Sequence, residues 1–374
     1  MNFPVLPVRC VITGLGAVTP LGRDLSETWS ALIEGRRIVD LSRAQSPDMP
    51  SVARVSALAI RSAEQAISAA GWSRGDLASD DVALIVGTSK GPVDAWLAHS
   101  FSTSSYGLDC VARDVAAHLR LGTGPRLTVA AACSSGLQGL IRATMLIAEG
   151  RVTRALVVSA ESSLHPLFTA TFGRLGVLAS KGRGCRPFCT TRDGFVLSES
   201  SSALCIERAS SPGGGLAIDR VVLAADATHL VAGDALGVAM EYACRSLGLD
   251  LSVDLIHAHG TGTELNDSTE LRVFERALKW APSVRAVTDP FPNVYSHKGA
   301  LGHSLGAAGL LALVLSARAH QTSIIPPNVP MDEVSISCDQ MKIARRPVDR
   351  PVRRSVTIAS GFGGGIAGVS LLSG

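Results

Sequence analysis

Three residues stand where this sequence is built for chemistry: Cys133, His259 and His303. Cys133 lies in AACSSG, between an apolar strand-like run over 127–132 and a helical pattern over 137–148. The spacing predicts a tight strand-to-helix turn with the thiol at a helix N-terminus. Unpaired amide N–H groups and the positive dipole end favour thiolate there, so a lowered thiol pKa is expected. Ala130, Ala131, Ala132, Ser134, Ser135 and Gly136 leave room for a substrate to reach the sulfur. His259 follows a buried strand in HAHGTGTELND, and His303 opens a glycine-rich helix in SHKGALGHSLGAAG. One thiol with two imidazoles suits acyl transfer followed by carbon–carbon bond formation. The thiolate takes an acyl chain as a thioester. Two neutral imidazoles then donate N–H bonds to the thioester oxygen of a malonyl-type donor as carbon dioxide leaves and an enolate forms.

Other residues support the set. Lys298, five residues before His303, supplies positive charge or orients a histidine. His257 shares a strand face with His259 and reads as a supporting or structural residue. The run SGFGGGIAG (360–368) follows an apolar strand; its glycines let backbone amides approach an oxyanion, with Phe362 placed to gate the pocket. A protease-like Cys–His pair is the competing catalytic reading, and it leaves the second histidine and the lysine without a task. HSLGAAG lacks the Lys-Ser/Thr end of a phosphate loop, and VITGLGAV does not complete GxGxxG. Cys185, Cys189 and His165 could meet zinc, but no second closely spaced ligand pair accompanies them, so no metal is assigned.

The elements that must position these residues occur twice. Segments 63–89 and 237–263 each run from an apolar-periodic helix, through a glycine, to a buried strand ending in Gly-Thr, with Gly87 and Gly260 offset by 173. Segments 133–150 and 303–320 align without gaps at an offset of 170, and Cys133 falls on His303. The chain is therefore expected to be a duplicated α/β fold. The half 1–210 carries the nucleophile, 211–374 carries the histidines and lysine, and the turn-rich segment 210–215 connects them. Continuous apolar runs such as LTVAAA and ALVVSA predict strands covered by helices on both faces.

Composition agrees with a large packed core: 374 residues, 46% hydrophobic and 18% charged, with 37 glycines. The mean hydropathy of +0.27 is high. Yet runs such as 310–316 fall far short of the roughly 18–20 apolar residues of a membrane span, which predicts buried helices instead. A net charge of +3 argues against nucleic acid as a partner, and the basic run 342–354 reads as a solvated loop face. The N-terminus shows no basic region leading into a long apolar stretch, which predicts a cytoplasmic protein. Eight cysteines without a CxxC pair argue against a disulfide framework, and most read as small apolar fillers.

Six motifs, VITGLGAVTPLG, AACSSG, RPFCTTRDGFVLSE, HAHGTGTELND, SHKGALGHSLGAAG and GFGGG, occur in one order along nearly the whole chain. Together they resemble the β-ketoacyl synthase family of the thiolase superfamily, above all the type II enzymes that elongate chains on acyl carrier protein. The resemblance implies a thiolase-like five-layer αβαβα fold and a dimer, either with itself or with a paralogous ketosynthase or chain-length factor. It implies acyl- and malonyl-loaded carrier protein as partners and no cofactor. The family's nucleophile falls on Cys133, its histidines on His259 and His303, and its lysine on Lys298. Its gating phenylalanine falls on Phe362 and its substrate-arm threonines on Thr261 and Thr263. The implied reaction is ping-pong: acylation of Cys133, then decarboxylative Claisen condensation with malonyl carrier protein, in fatty-acid, polyketide or aryl-polyene-type synthesis. The amides of Cys133 and Phe362 would hold the acyl oxyanion. The alternatives are a non-catalytic chain-length-factor-like subunit and a non-decarboxylating acyltransferase on the same fold. Four features depart from the family pattern: Ala312 in place of the usual glutamate, Cys189 in PFC, a shortened stretch over 38–125, and Gly365-Ile366 after FGG.

Overall fold

The computed structural model describes residues 8–45, 49, 51–98, 107–210, 214–228, 234–249, 252–279, 291–331, 333 and 340–374. Cys338 and part of the 210–215 connector lie outside the described residues. The strands are β1 (Cys10–Val18), β2 (Val82–Gly87), β3 (Arg126–Val129), β4 (Arg154–Glu161), β5 (Ser200–Arg208), β6 (Leu216–Ala225), β7 (Leu255–His257), β8 (Asn293–Tyr295), β9 (Ile324–Ile325), β10 (Val348–Asp349), β11 (Arg354–Ser360) and β12 (Gly365–Ser373). Ten of them form one sheet in the order β3-β2-β4-β5-β1-β6-β12-β11-β7-β8, and β9 and β10 form a separate ribbon.

Read outward from its centre, the sheet repeats itself. β1 and β6 meet antiparallel at Cys10–Ile218, Val11–Ala217 and Ile12–Leu216. On one side, β5 is antiparallel to β1 and to β4, and β2 lies parallel to β4 and β3. On the other side, β12 is antiparallel to β6 and to β11, and β7 lies parallel to β11 and β8. The ten strands thus comprise two five-stranded halves of identical connectivity, as the repeats in the sequence predict.

The two halves enclose a pair of helices, Ser135–Ala148 and Ala308–Thr322, whose buried side chains join both halves in one core. Helices Arg54–Ala70 and Cys110–Leu119 cover the outer face of the first half. Val238–Ser246 and Glu264–Lys279 cover the second. These are the five layers. In Ala308–Thr322 every residue from 308 to 317 is buried, because a helix between the two half-sheets has no face left for water. That accounts for the apolar run 310–316. Among the described residues no helix is long and apolar enough to cross a membrane.

Two expectations change. β4 is buried along nearly its whole length, but β3 is not covered on both faces: it forms the outer edge of the sheet, where Leu127 is 40% exposed. An apolar run alone does not distinguish an edge strand from a central one. In the basic run, Lys342, Arg345 and Arg346 face solvent. Arg350 and Arg354 instead turn inward and pair with Asp254 and Asp219, so the segment is half surface loop and half anchored strand.

Candidate active site

Cys133 sits four residues beyond β3 and two before helix Ser135–Ala148. The elbow is tight. Ala132 is left-handed at φ +48°, a conformation non-glycine residues adopt at a cost of about 1 kcal/mol or more. Side-chain bonds hold it there: Ser135 Oγ donates to the Ala132 carbonyl at 2.6 Å, and the Ala131 N–H donates back to Ser135 Oγ at 2.8 Å. In the second half Gly302, also left-handed at φ +72°, occupies the equivalent place before His303.

The expected equivalence ends there. His303 is not at a helix start, because a 3-10 turn over Leu305–Ala307 separates it from helix Ala308–Thr322. Its N–H donates to the Val196 carbonyl at 2.7 Å, and its carbonyl accepts the Ser198 N–H at 3.2 Å. The segment after RPFCTTRDG therefore clamps His303 as a short parallel pair, and the helix begins later. His259, two residues past β7, is held from both sides of its peptide. Glu270 accepts the N–H groups of His259 and Gly260 at 2.7 and 2.6 Å, and Lys298 Nζ donates to the His259 carbonyl.

The rings of His259 and His303 stand edge to face with centroids 5.6 Å apart, and Phe195 braces His303 at 5.0 Å. Cys133, His259, His303, Thr261, Thr263 and Phe362 line one cavity of about 490 Å³. The hydroxyls of Thr261 and Thr263 lie 2.8 Å apart. Phe362 is 39% exposed and faces Phe172 at 6.2 Å. Gly361 is pressed against the elbow: a Cβ there would lie 3.0 Å from the Ala131 carbonyl oxygen and 3.3 Å from the Cys133 nitrogen. The amides of Cys133 and Phe362 donate to no backbone carbonyl among the described residues. Lys298 is the one sequence-predicted residue that does not line the cavity. It is buried behind His259 and touches that residue's carbonyl. The Cys185 and Cys189 thiols point to different carbonyls, of Thr261 and Pro330.

Burial dominates the electrostatics. Desolvation, reinforced by the Lys298 charge, holds His259 and His303 well below the ordinary imidazole range, so both are neutral at physiological pH. Lys298 is itself pulled down by burial, with the Glu270 carboxylate the leading opposing influence. Burial pushes Glu270 up to about 7, against its N–H donors. For Cys133 the expectation reverses: burial pushes the thiol up to about 11, outweighing the Lys298 charge and the local amide. A raised pKa keeps the resting sulfur protonated at neutral pH. Alkylation of Cys133 by iodoacetamide, followed on its own peptide, should therefore climb about tenfold per pH unit from pH 7 to 10. A plateau beginning near neutrality would mark a resting thiolate instead.

Three further residues were not singled out in the sequence. Glu270 and Asp267 are fully buried acids one helical turn apart on the face of Glu264–Lys279 that should be apolar. That conflict is visible in the sequence once the helix is drawn. Glu161, at the end of β4, accepts from Ser163 Oγ at 2.5 Å and from the Gly306 N–H at 3.2 Å, and so ties the two halves together beside Cys133. Nothing in its local sequence marks it.

Comparison with known proteins places the chain in a family. Residues 40–211 match the β-ketoacyl synthase N-terminal domain and residues 224–332 its C-terminal domain. A candidate mitochondrial 3-oxoacyl-[acyl-carrier-protein] synthase of Schizosaccharomyces pombe is 29% identical, over 97% of this chain and 98% of that one. The tetracenomycin polyketide synthase ketoacyl synthase alpha subunit of Streptomyces glaucescens is 28% identical over 95% of each chain. The crystal structure of a β-ketoacyl synthase from Burkholderia phymatum matches with a TM-score of 0.84 at 23% identity, over 98% of this chain and 100% of that one, and so shares the fold. Cys133 lies within the first matched domain, and His259, Lys298 and His303 within the second. The chain belongs to the β-ketoacyl synthase family.

Proposed function

We propose that the protein is a decarboxylating β-ketoacyl-[acyl-carrier-protein] synthase, an acyltransferase by class. The observation that carries this reading is the single cavity in which one thiol meets two neutral imidazoles. Cys133 attacks the thioester of an acyl-loaded carrier protein. The sulfur–acyl bond forms, the carrier thiol leaves, and the Cys133 proton passes to it by way of a neutral imidazole. Malonyl carrier protein then binds with its arm along Thr261 and Thr263. Its carbon–carboxylate bond breaks, and N–H bonds from His259 and His303 hold the resulting enolate oxygen. The enolate carbon attacks the Cys133 thioester while the amides of Cys133 and Phe362 hold the oxyanion. Collapse breaks the sulfur–acyl bond, releases the β-ketoacyl chain on its carrier protein and leaves a Cys133 thiolate, which takes a proton from water. Neutral histidines suit this role because each keeps an acceptor and a donor nitrogen.

In this reading the half 1–210 supplies the nucleophile and 211–374 the enolate donors and Lys298. The names of the relatives support carrier-bound substrates of fatty-acid or polyketide type. The outer edge of β3, with Leu127 exposed, supports dimerisation with a second copy or a paralogous ketosynthase or chain-length factor.

The test uses the purified protein with acyl-primed and malonyl carrier protein. Intact mass should show an acyl adduct on the wild type, and carbon dioxide should appear in step with β-ketoacyl product. Absence of the adduct would make the chain a non-catalytic partner subunit. An adduct with no carbon dioxide would make it a non-decarboxylating acyltransferase.

A further inference from the structure

Behind the cavity lie two buried imidazoles that the reaction above does not use. His257 Nε2 is 3.0 Å from His297 Nδ1, and His257 Nδ1 is 3.0 Å from Ser316 Oγ. Ser316 Oγ also lies 2.9 Å from the Ala312 carbonyl, which can only accept. Ser316 Oγ also lies 3.3 Å from Thr357 Oγ1. With its proton on the nearer Ala312 carbonyl, Ser316 accepts from His257, and that arrangement sets both tautomers. His257 carries its proton on Nδ1, its Nε2 accepts, and His297 donates from Nδ1. Nε2 of His297 is left as a lone pair with no partner among the described residues.

The chain joins the same two segments as the contact already described. His257 precedes His259 by two residues, and His297 immediately precedes Lys298, whose Nζ donates to the His259 carbonyl. The Ala258 N–H also donates to the Tyr295 carbonyl, at 2.9 Å. The strand end bearing His259 is thus pinned to the turn bearing Lys298 at successive points. Ala312 contributes a methyl group and the carbonyl that accepts from Ser316 Oγ.

We infer that His257 and His297 are positioning residues for decarboxylation: the chain from His297 through His257 and Ser316 to the Ala312 carbonyl fixes the His259 strand end against the Lys298 turn. No proton moves along it. The inference rests on the proposed condensing reaction. The titratable groups facing the pair are Lys298, His259, His303 and Tyr295. Burial and the Lys298 charge hold both imidazoles well below their ordinary range, as a neutral chain requires.

His297→Leu, which removes the donor, should slow carbon dioxide release from malonyl carrier protein about 10- to 100-fold, the scale on which loss of an orienting partner is felt at metal-ligating imidazoles. Acyl-adduct formation on Cys133 should change little. His297→Asn keeps a donor where Nδ1 stands and should restore release to within about threefold of wild type. Equal loss in both variants, or parallel loss of acylation and decarboxylation, overturns the inference. A second readout needs no turnover. Nitrogen NMR of histidine-labelled wild type at pH 6 should include two neutral Nδ1–H imidazoles, one of them lost in each of His257→Asn and His297→Asn. Nε2–H tautomers or charged rings there overturn the chain by themselves. If wild type forms no adduct, the proposed reaction fails, and the NMR result still decides the arrangement.

Discussion

Replacing Cys133 by alanine is expected to abolish acyl-enzyme formation, lowering condensation by about 10⁴-fold or more, the scale on which loss of a nucleophile is felt. Among the described residues the sulfur is the one thiol lining the cavity shared by His259 and His303. The other described cysteines are buried elsewhere, so none takes over its position. Carbon dioxide release from malonyl carrier protein should survive in this variant at a reduced rate, because the two imidazoles that hold the enolate oxygen do not depend on the thiol. The measurement is intact-protein mass after exposure to acyl carrier protein, with carbon dioxide release followed in parallel. An adduct that persists in Cys133→Ala would move the nucleophile elsewhere and end the assignment.

The second large effect is expected at His303. His303→Ala removes one of two donors to a developing enolate, and such donors are worth about 3–4 kcal/mol, or roughly 10²–10³ in rate. Decarboxylation should fall by that factor while Cys133 still acquires its acyl chain. Burial and the Lys298 charge depress the imidazole pKa, so the wild-type ring stays neutral until well below pH 6.5. Acid charges the ring and removes its free lone pair only well below the ordinary imidazole range. Carbon dioxide release should accordingly show no acid limb between pH 8 and 6.5 that disappears in His303→Ala. An unaltered rate in the variant, or an equal loss of acylation, would show that His303 serves the structure and not the enolate.

Much of this is legible in the sequence. Gly87 ends β2 and Gly260 lies three residues past the equivalent strand β7, and the repeat that pairs them foretells the matched order of the two half-sheets. Strand periodicity, glycine placement and the apolar length of 308–317 are local properties of a chain, and local rules read them. Cys133 is legible at its elbow for the same reason: a strand, a small-residue turn and a helix occupy consecutive residues. The motif around His303 is legible too, but its setting is not. Its backbone pairs with Val196 and Ser198, more than a hundred residues earlier, and that pairing delays the helix.

The sequence by itself determined which residue types meet, because the duplication brings two equivalent turns to one place and the motifs populate them. Only the tertiary structure decided their protonation. A helix end lowers a thiol pKa and an approaching lysine lowers it further, yet the layers that close around Cys133 remove its water and push it up to about 11. The same closure keeps His259 and His303 neutral, sets Lys298 behind the cavity, and leaves β3 at an edge. Desolvation sums over every element packed around a group, and those elements are distant in the chain, so no local reading of the sequence contains it.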